Sequence, residues 1–349
     1  MNVNRVFITT STEVRGVNTG RLHFPRYLHG QRNSFFGNDD PFDAGVWGQW
    51  AGGGNNWQYQ GFIREGNGPL QEDPQVRGQI PFISRVEAGA NGNANVTDFI
   101  GATLGGPRFN GPGSPMMTNM QSPLFAIVDH NSAHHMTLPL ALKAFSSHFG
   151  GGGWNRTVVI NLDAHEDYHG AQNWQTARCQ NWGRLLIQQR NRPAWVRGHT
   201  VSAYAVFGLS SGIGGPNTVR AKSWTSQGGS QTSRHASLQP GGARLNGGVL
   251  HTMLGNLNNT VAYITIDRDF TAGSDTPYGD GDYQAVEGRQ MMTDLFQYLG
   301  NQNVPIAGVD ITGMPVERAH AGRNDQAVRN SLRQAADDIR HLYGLVSAY

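Results

Sequence analysis

Cysteine occurs once in this 349-residue chain, at Cys179, and lysine only twice, at Lys143 and Lys222. A single cysteine excludes an intrachain disulfide and fits a reducing compartment. Positive charge is therefore almost all arginine, yet Lys+Arg 27 against Asp+Glu 25 leaves a formal net charge of only +2. No basic run is present, so nothing in the charge pattern calls for a nucleic-acid partner. No apolar run approaches the ~20 residues of a membrane-spanning helix. The N-terminus MNVNRVFITTSTEVRG lacks the basic segment and long apolar stretch of a signal peptide. The expectation is a cytoplasmic protein with no membrane and no nucleic-acid partner, and with homo-oligomerisation left open.

Glycine is what the chain has in excess: 47 residues, about twice average usage. Because glycine disfavours helix and strand interiors, its two dense zones read as long loops. The expected organisation is a single domain over 1–349, with a Gly/aromatic-rich insertion at 20–120 and a flexible loop insertion at 210–248. The first insertion carries Trp47, Trp50, Trp57 and Tyr59, an aromatic load unlike that of disordered segments.

Elsewhere short apolar runs alternate with helical stretches. Strands are expected at 6–9, 124–128, 158–162, 201–207, 261–266 and 304–309, and helices at 134–148, 181–190, 285–299 and 324–345. That alternation predicts an α/β protein with a mainly parallel sheet and helices on both faces. In open parallel sheets, ligand sites lie beyond the carboxyl ends of the strands. Acids and histidines fall at four such ends: Asp129-His130, Asp163-Ala-His165-Glu-Asp167, Asp267-Arg-Asp269 and Asp310. A solvated turn with helix-capping acids would explain one of these, but it gives no reason for the repetition.

His130, Asp163, His165, Asp167, Asp267 and Asp269 are too many ligands for one zinc ion, which usually takes four. They suit two divalent ions bridged by carboxylates, and oxygen-rich ligation without cysteine favours manganese. His134 and His135, close behind His130, could substitute for it. His169 and Glu166 read as outer or exposed groups, and Cys179 as a small buried filler.

DAHED, the later DRD and the earlier DHNSA together resemble the arginase–deacetylase superfamily, and its ureohydrolase branch in particular. TPYGDGDYQAVEGRQ and GVDITGMP resemble two further stretches of that branch, so the likeness runs from about residue 124 to the end of the chain. CQNWGRLLI and the ITIDRDF ending resemble the peptide arginases, which convert arginine side chains of a precursor peptide to ornithine and release urea. The resemblance implies a three-layer α/β/α arginase-like fold and two manganese ions. His130, Asp163, Asp167 and Asp267 would hold one ion, and Asp163, His165, Asp267 and Asp269 the other. Asp163, His165 and Asp167 would be the catalytic set, with Asp167 passing a proton to the departing amine. The partner implied is an arginine-containing peptide, a ribosomal precursor.

Two departures stand out. Where the family has a histidine that shuttles protons, this chain has Trp182. Where a glutamate receives the guanidinium, it has Gly313. The remaining candidates for substrate contact are Asp310, Glu317, Glu287, Trp182 and His135. Three rival readings follow: a single-zinc deacetylase using His134-His135 as acid and base, a free-guanidino ureohydrolase, and a metal-binding protein without catalysis.

Overall fold

The computed structural model describes residues 4–14, 17–18, 57–65, 123–128, 131–149, 155–170, 179–188, 201–210, 219–227, 230–237, 245–274, 276, 281–313 and 325–349. Ten strands are present among them: β1 Asn4–Val14, β2 Val17–Asn18, β3 Trp57–Glu65, β4 Leu124–Val128, β5 Arg156–Leu162, β6 Ala203–Phe207, β7 Arg220–Gln227, β8 Ser230–Ser237, β9 Thr260–Asp267 and β10 Ile306–Thr312. The helices are α1 Thr137–Phe149, preceded by a 3-10 turn at Asn131–Met136, then α2 Trp182–Ile187, α3 Gly247–Leu254, α4 Ala285–Asn301 and α5 Asp325–Ala348. None of the described helices is long and apolar enough to cross a membrane.

The sheet order is β2-β1-β4-β10-β9-β5-β6-β7-β8, with β3 also pairing β1. From β1 to β6 every neighbouring pair is parallel. These six strands are the six expected from the apolar runs. Away from β1 they read as near-continuous apolar runs because both faces of the sheet are covered there, and β4, β6, β9 and β10 are buried at every position.

Strand alternation shows which helix covers which face. Asp310, Thr265 and Asn161 lie in register across β10, β9 and β5, and the side chains of Asp310 and Thr265 meet Thr137 at the start of α1. Tyr263, two residues before Thr265, meets Phe145 of α1. Phe125, one position off that register, meets Tyr343 of α5 instead. Helices α1 and α5 therefore cover opposite faces, which makes three layers. Along α5, Ala335, Ile339, Leu342 and Val346 are buried, the three-and-four spacing of one helical stripe.

The 210–248 segment is not all loop. Its β7 and β8 form an antiparallel hairpin that extends the sheet beyond β6. Alternating small and polar residues in SQTSRHAS hid a strand that needs no strong apolar run, because β8 sits at the edge. Most of the 20–120 zone lies outside the described residues, although β3 falls within it.

Candidate metal centre

Strands β5 and β9 are neighbours, so their carboxyl ends deliver two acidic segments side by side. Asp163 follows β5 directly and is fully buried. Its Oδ1 accepts from the His165 amide at 2.6 Å and its Oδ2 from Asn161 Nδ2 at 2.9 Å. Asp267 ends β9 and caps the short 3-10 turn Arg268–Phe270 by accepting from the Asp269 amide at 3.2 Å. That turn swings Asp269 back toward β5, where its Oδ1 accepts from the Ala164 amide at 3.3 Å. Arg268, between the two acids, turns the other way. It is buried, bonds Asp338 of α5 at 2.9 Å and donates to the Gly313 carbonyl, so it neutralises neither acid by direct contact. Asp167 has a left-handed backbone, φ +48°, a conformation aspartate tolerates better than most residues.

Two groups of ligand atoms result: His134, Asp163 and Asp167, and Asp163, His165 and Asp269. Asp163 belongs to both, whereas Asp267, expected to be shared as well, joins neither group and only borders the first through His134. His134 Nδ1 lies 2.9 Å from Asp167 Oδ2, 3.2 Å from Asp163 Oδ2 and 3.4 Å from Asp267 Oδ2. His165 Nδ1 lies 2.9 Å from Asp269 Oδ2 and 3.6 Å from Asp163 Oδ1. Asp163, Asp167, Asp267 and Asp269 are all buried, while the His165 side chain is half exposed. A cavity of about 260 Å³ opens beside them, lined by His165, Asp167, His169, Cys179, Gln180, Asp267 and Asp269.

Several expectations change. His130 lies outside the described residues, and the histidine brought among the carboxylates is His134, from the 3-10 turn ahead of α1. Both His134 and His135 are buried, and His134 lies against the carboxylates while His135 joins neither ligand group, so the pair the deacetylase reading uses is divided. Asp310 lies within β10, not past its end, because the strand runs on to Thr312. It is buried and accepts from Thr265 and Thr137, so it does not line the cavity. Glu287 closes the capping box of α4 with Gln284, an explanation that needs no substrate. Glu317 lies outside the described residues. Cys179 is a lining residue and not a buried filler.

Trp182 is fully buried and stands behind the cavity wall. Its indole N–H donates to Asp167 Oδ2 at 2.6 Å, and its ring packs against His134 at 4.8 Å and Tyr204 at 5.3 Å. It orients a carboxylate and touches no substrate space. Glu166 is held by Lys222 at 2.9 Å. The positioning roles of Asn161, Thr265 and Thr137 were missed from sequence. A signal was present for the first two: each is the polar residue two positions before an aspartate of the buried cluster, on the same strand face.

The proton inventory tests whether these residues fit a divalent cation. Burial pushes the carboxyls of Asp167 and Asp269 up to about 7, with the charge of Asp163 adding to each. Burial likewise raises Asp267, with Asp269 and Asp163 adding. Burial works against ionised Asp163 too, yet hydrogen bonds from His134 and His165 hold it below the usual carboxylate range. His165 is pushed up to about 11 by its hydrogen bonds to Asp163 and Asp269. His134 also rises: burial opposes its charge, but its hydrogen bonds to Asp163 and Asp167 prevail. Without a cation, protons hold this cluster together. Carboxylate oxygens and imidazole nitrogens are donors that divalent ions accept in place of protons.

A pH dependence follows. Asp167, Asp269 and His165 bind protons more tightly in the folded chain than in the unfolded one, so their contribution to the metal-free fold is lost as pH rises. For the two acids this happens between about 4 and about 7, and for His165 between about 6.5 and about 11. Asp163 has the opposite sign, but it acts only in the acid range. Chelator-treated protein should therefore melt at a lower temperature at about pH 8 than at about pH 5. Manganese should reverse the loss, bind more tightly as pH rises and release protons into a pH-stat. A metal-free melting temperature that rises over that range would contradict the assignment.

No family model and no curated protein matches the chain. Solved structures do. The formimidoylglutamase of Bacillus subtilis superposes with a TM-score of 0.43 at 11% identity, over 99% of this chain and 88% of that one. The proclavaminate amidino hydrolase of Streptomyces clavuligerus gives 0.44 at 13%, over 99% and 93%. The arginase of Bacillus cereus gives 0.46 at 10%, over 97% and 98%. At that identity and superposition these likenesses assign neither activity nor substrate to this chain.

Proposed function

We propose that this chain is a manganese-dependent hydrolase that cleaves the guanidinium group of an arginine side chain within a peptide, a ribosomal precursor, giving ornithine and urea. The observation that carries the reading is the sharing of Asp163 between two ligand groups at the ends of adjacent strands. A divalent pair bound there supplies Lewis-acid polarisation and a water of lowered pKa.

The remaining work falls to the chain. Asp167, Asp267 and Asp269 line the cavity, so the acids of the cluster face the space a substrate enters. Asp167 lines the cavity while Trp182 holds its Oδ2, so it is placed to carry the proton that the leaving amine needs. His169 and the half-exposed His165 stand at the open side, where a side chain enters.

Peptide is favoured over free arginine by the QNWG segment around Trp182, which resembles the peptide arginases, and by Gly313 at the position of the guanidinium-binding glutamate. A free amino acid brings an α-carboxylate, which is costly to bury unpaired. A peptide offers neutral backbone groups instead. The test gives manganese-loaded protein free L-arginine, agmatine and arginine-containing peptides, then measures urea and peptide mass. Peptides should lose the mass of CH2N2 per residue converted, with matching urea. Turnover of free arginine or agmatine with peptides inert would overturn the substrate. Deacetylation without urea would overturn the reaction. Binding of the native precursor with no chemistry would leave a metal-binding protein without catalysis.

A further inference from the structure

Asp310 and Thr265 are buried polar residues that the reaction does not use. Leaving such groups in a core without reason is costly. Thr265 Oγ1 donates to Asp310 Oδ1 at 2.6 Å, and Thr137 Oγ1 donates to the same oxygen at 3.1 Å. The three residues come from β9, β10 and the first residue of α1, which the strand register stacks directly behind the ligand cluster. Thr265 Oγ1 also lies 2.8 Å from His134 Nε2. A hydroxyl has one hydrogen. With that hydrogen on Asp310, Thr265 offers the imidazole only a lone pair, so Nε2 must carry a proton. Nδ1 faces the oxygens of Asp167, Asp163 and Asp267 at 2.9 Å, 3.2 Å and 3.4 Å, and in the metal-free chain a proton on it holds them together. A divalent ion that takes the place of that proton meets a neutral ring with Nδ1 bare and Nε2 protonated.

We infer that Asp310 and Thr265 are positioning residues that, through one directed hydrogen-bond chain, fix His134 in the tautomer whose Nδ1 binds a divalent ion. Thr137 steadies the same Asp310 oxygen. The chain also accounts for an acid inside a strand: Asp310 acts two residues away from the ion, and no substrate reaches it. This inference rests on the metal centre and not on the identity of the substrate.

Thr265→Val keeps the side-chain shape and removes the hydroxyl, and Thr265→Ser restores it. In manganese titrations of the full chain, read by elemental analysis and by metal-linked melting shifts, Thr265→Val should lose about 10- to 100-fold in affinity for one ion, as outer partners of ligands generally do. The ion at Asp163, His165 and Asp269 should be retained, and Thr265→Ser should bind as the parent does. A general packing defect would instead lower the metal-free melting temperature and weaken both ions alike. Nitrogen NMR of the zinc-loaded parent gives a reading independent of any variant: the His134 proton should sit on Nε2. A proton on Nδ1, or parent-like affinity in Thr265→Val, would overturn the inference. Failure of the parent itself to bind metal would overturn the metal centre instead.

Discussion

Asp163→Ala should yield a chain that holds neither divalent ion, and with it should go more activity than any outer residue can account for. Loss of an outer partner costs about 10- to 100-fold, so removing a shared ligand should exceed the upper end of that range. The expectation follows from connectivity. Asp163 is the one residue common to both ligand groups, while Asp269 belongs to a single group. Asp269→Ala is therefore the matched comparison, expected to keep the ion at His134, Asp163 and Asp167. Elemental analysis after dialysis against manganese separates the two variants, and urea release from the proposed peptide substrate gives the second readout. Asp163 also anchors the local chain by accepting from the His165 amide and Asn161. Metal-free melts are thus needed to show that the variant still folds. If folded Asp163→Ala held one ion per chain as tightly as the parent, the bridging role would be wrong.

The clustering of Asp163, Asp167, Asp267 and Asp269 was legible in sequence because a parallel sheet leaves little freedom at its carboxyl edge. VVINL and VAYITI read as buried strands, and whatever follows such strands is delivered to one edge. Their adjacency was not legible. It depends on β5 and β9 being neighbours although β6, β7 and β8 lie between them in the chain. The histidine was ambiguous for a related reason. His130 lies outside the described residues, and the 3-10 turn at Asn131–Met136 carries the chain inward, so that among the described residues it is His134 that arrives beside the carboxylates. Asp310 was misread because the strand was expected to end at Val309. Thr265 on the neighbouring strand gives its carboxylate a hydrogen bond, which lets an acid continue a buried strand that its charge alone would terminate.

Gly313→Glu should weaken metal binding and create no guanidinium anchor, although the sequence resemblance puts a guanidinium-binding glutamate at this position. Gly313 has φ +80°, and a Cβ built on it would lie 2.6 Å from Asp267 Oδ1, 3.0 Å from the Arg268 amide nitrogen and 3.2 Å from the Arg268 Cβ. None of these neighbours moves freely. Asp267 Oδ1 is held by the Asp269 amide, and Arg268 is tied to Asp338 and to the carbonyl of Gly313 itself. A side chain at 313 must therefore displace the Asp267 carboxylate, which borders His134, or shift the turn that carries Asp269. The left-handed backbone adds about 1–2 kcal/mol of strain for a residue with a Cβ. Gly313→Ala should already show the loss, since the collision begins at Cβ, and Gly313→Glu should do no better despite its carboxylate. Manganese titration followed by melting shift should show both variants binding at least about 10-fold more weakly than the parent, the lower end of the cost of disturbing a ligand's surroundings. With saturating manganese, KM for the peptide should not fall in Gly313→Glu. Parent-like metal affinity together with a lower KM would mean that the turn yields and that the position can hold a guanidinium anchor after all.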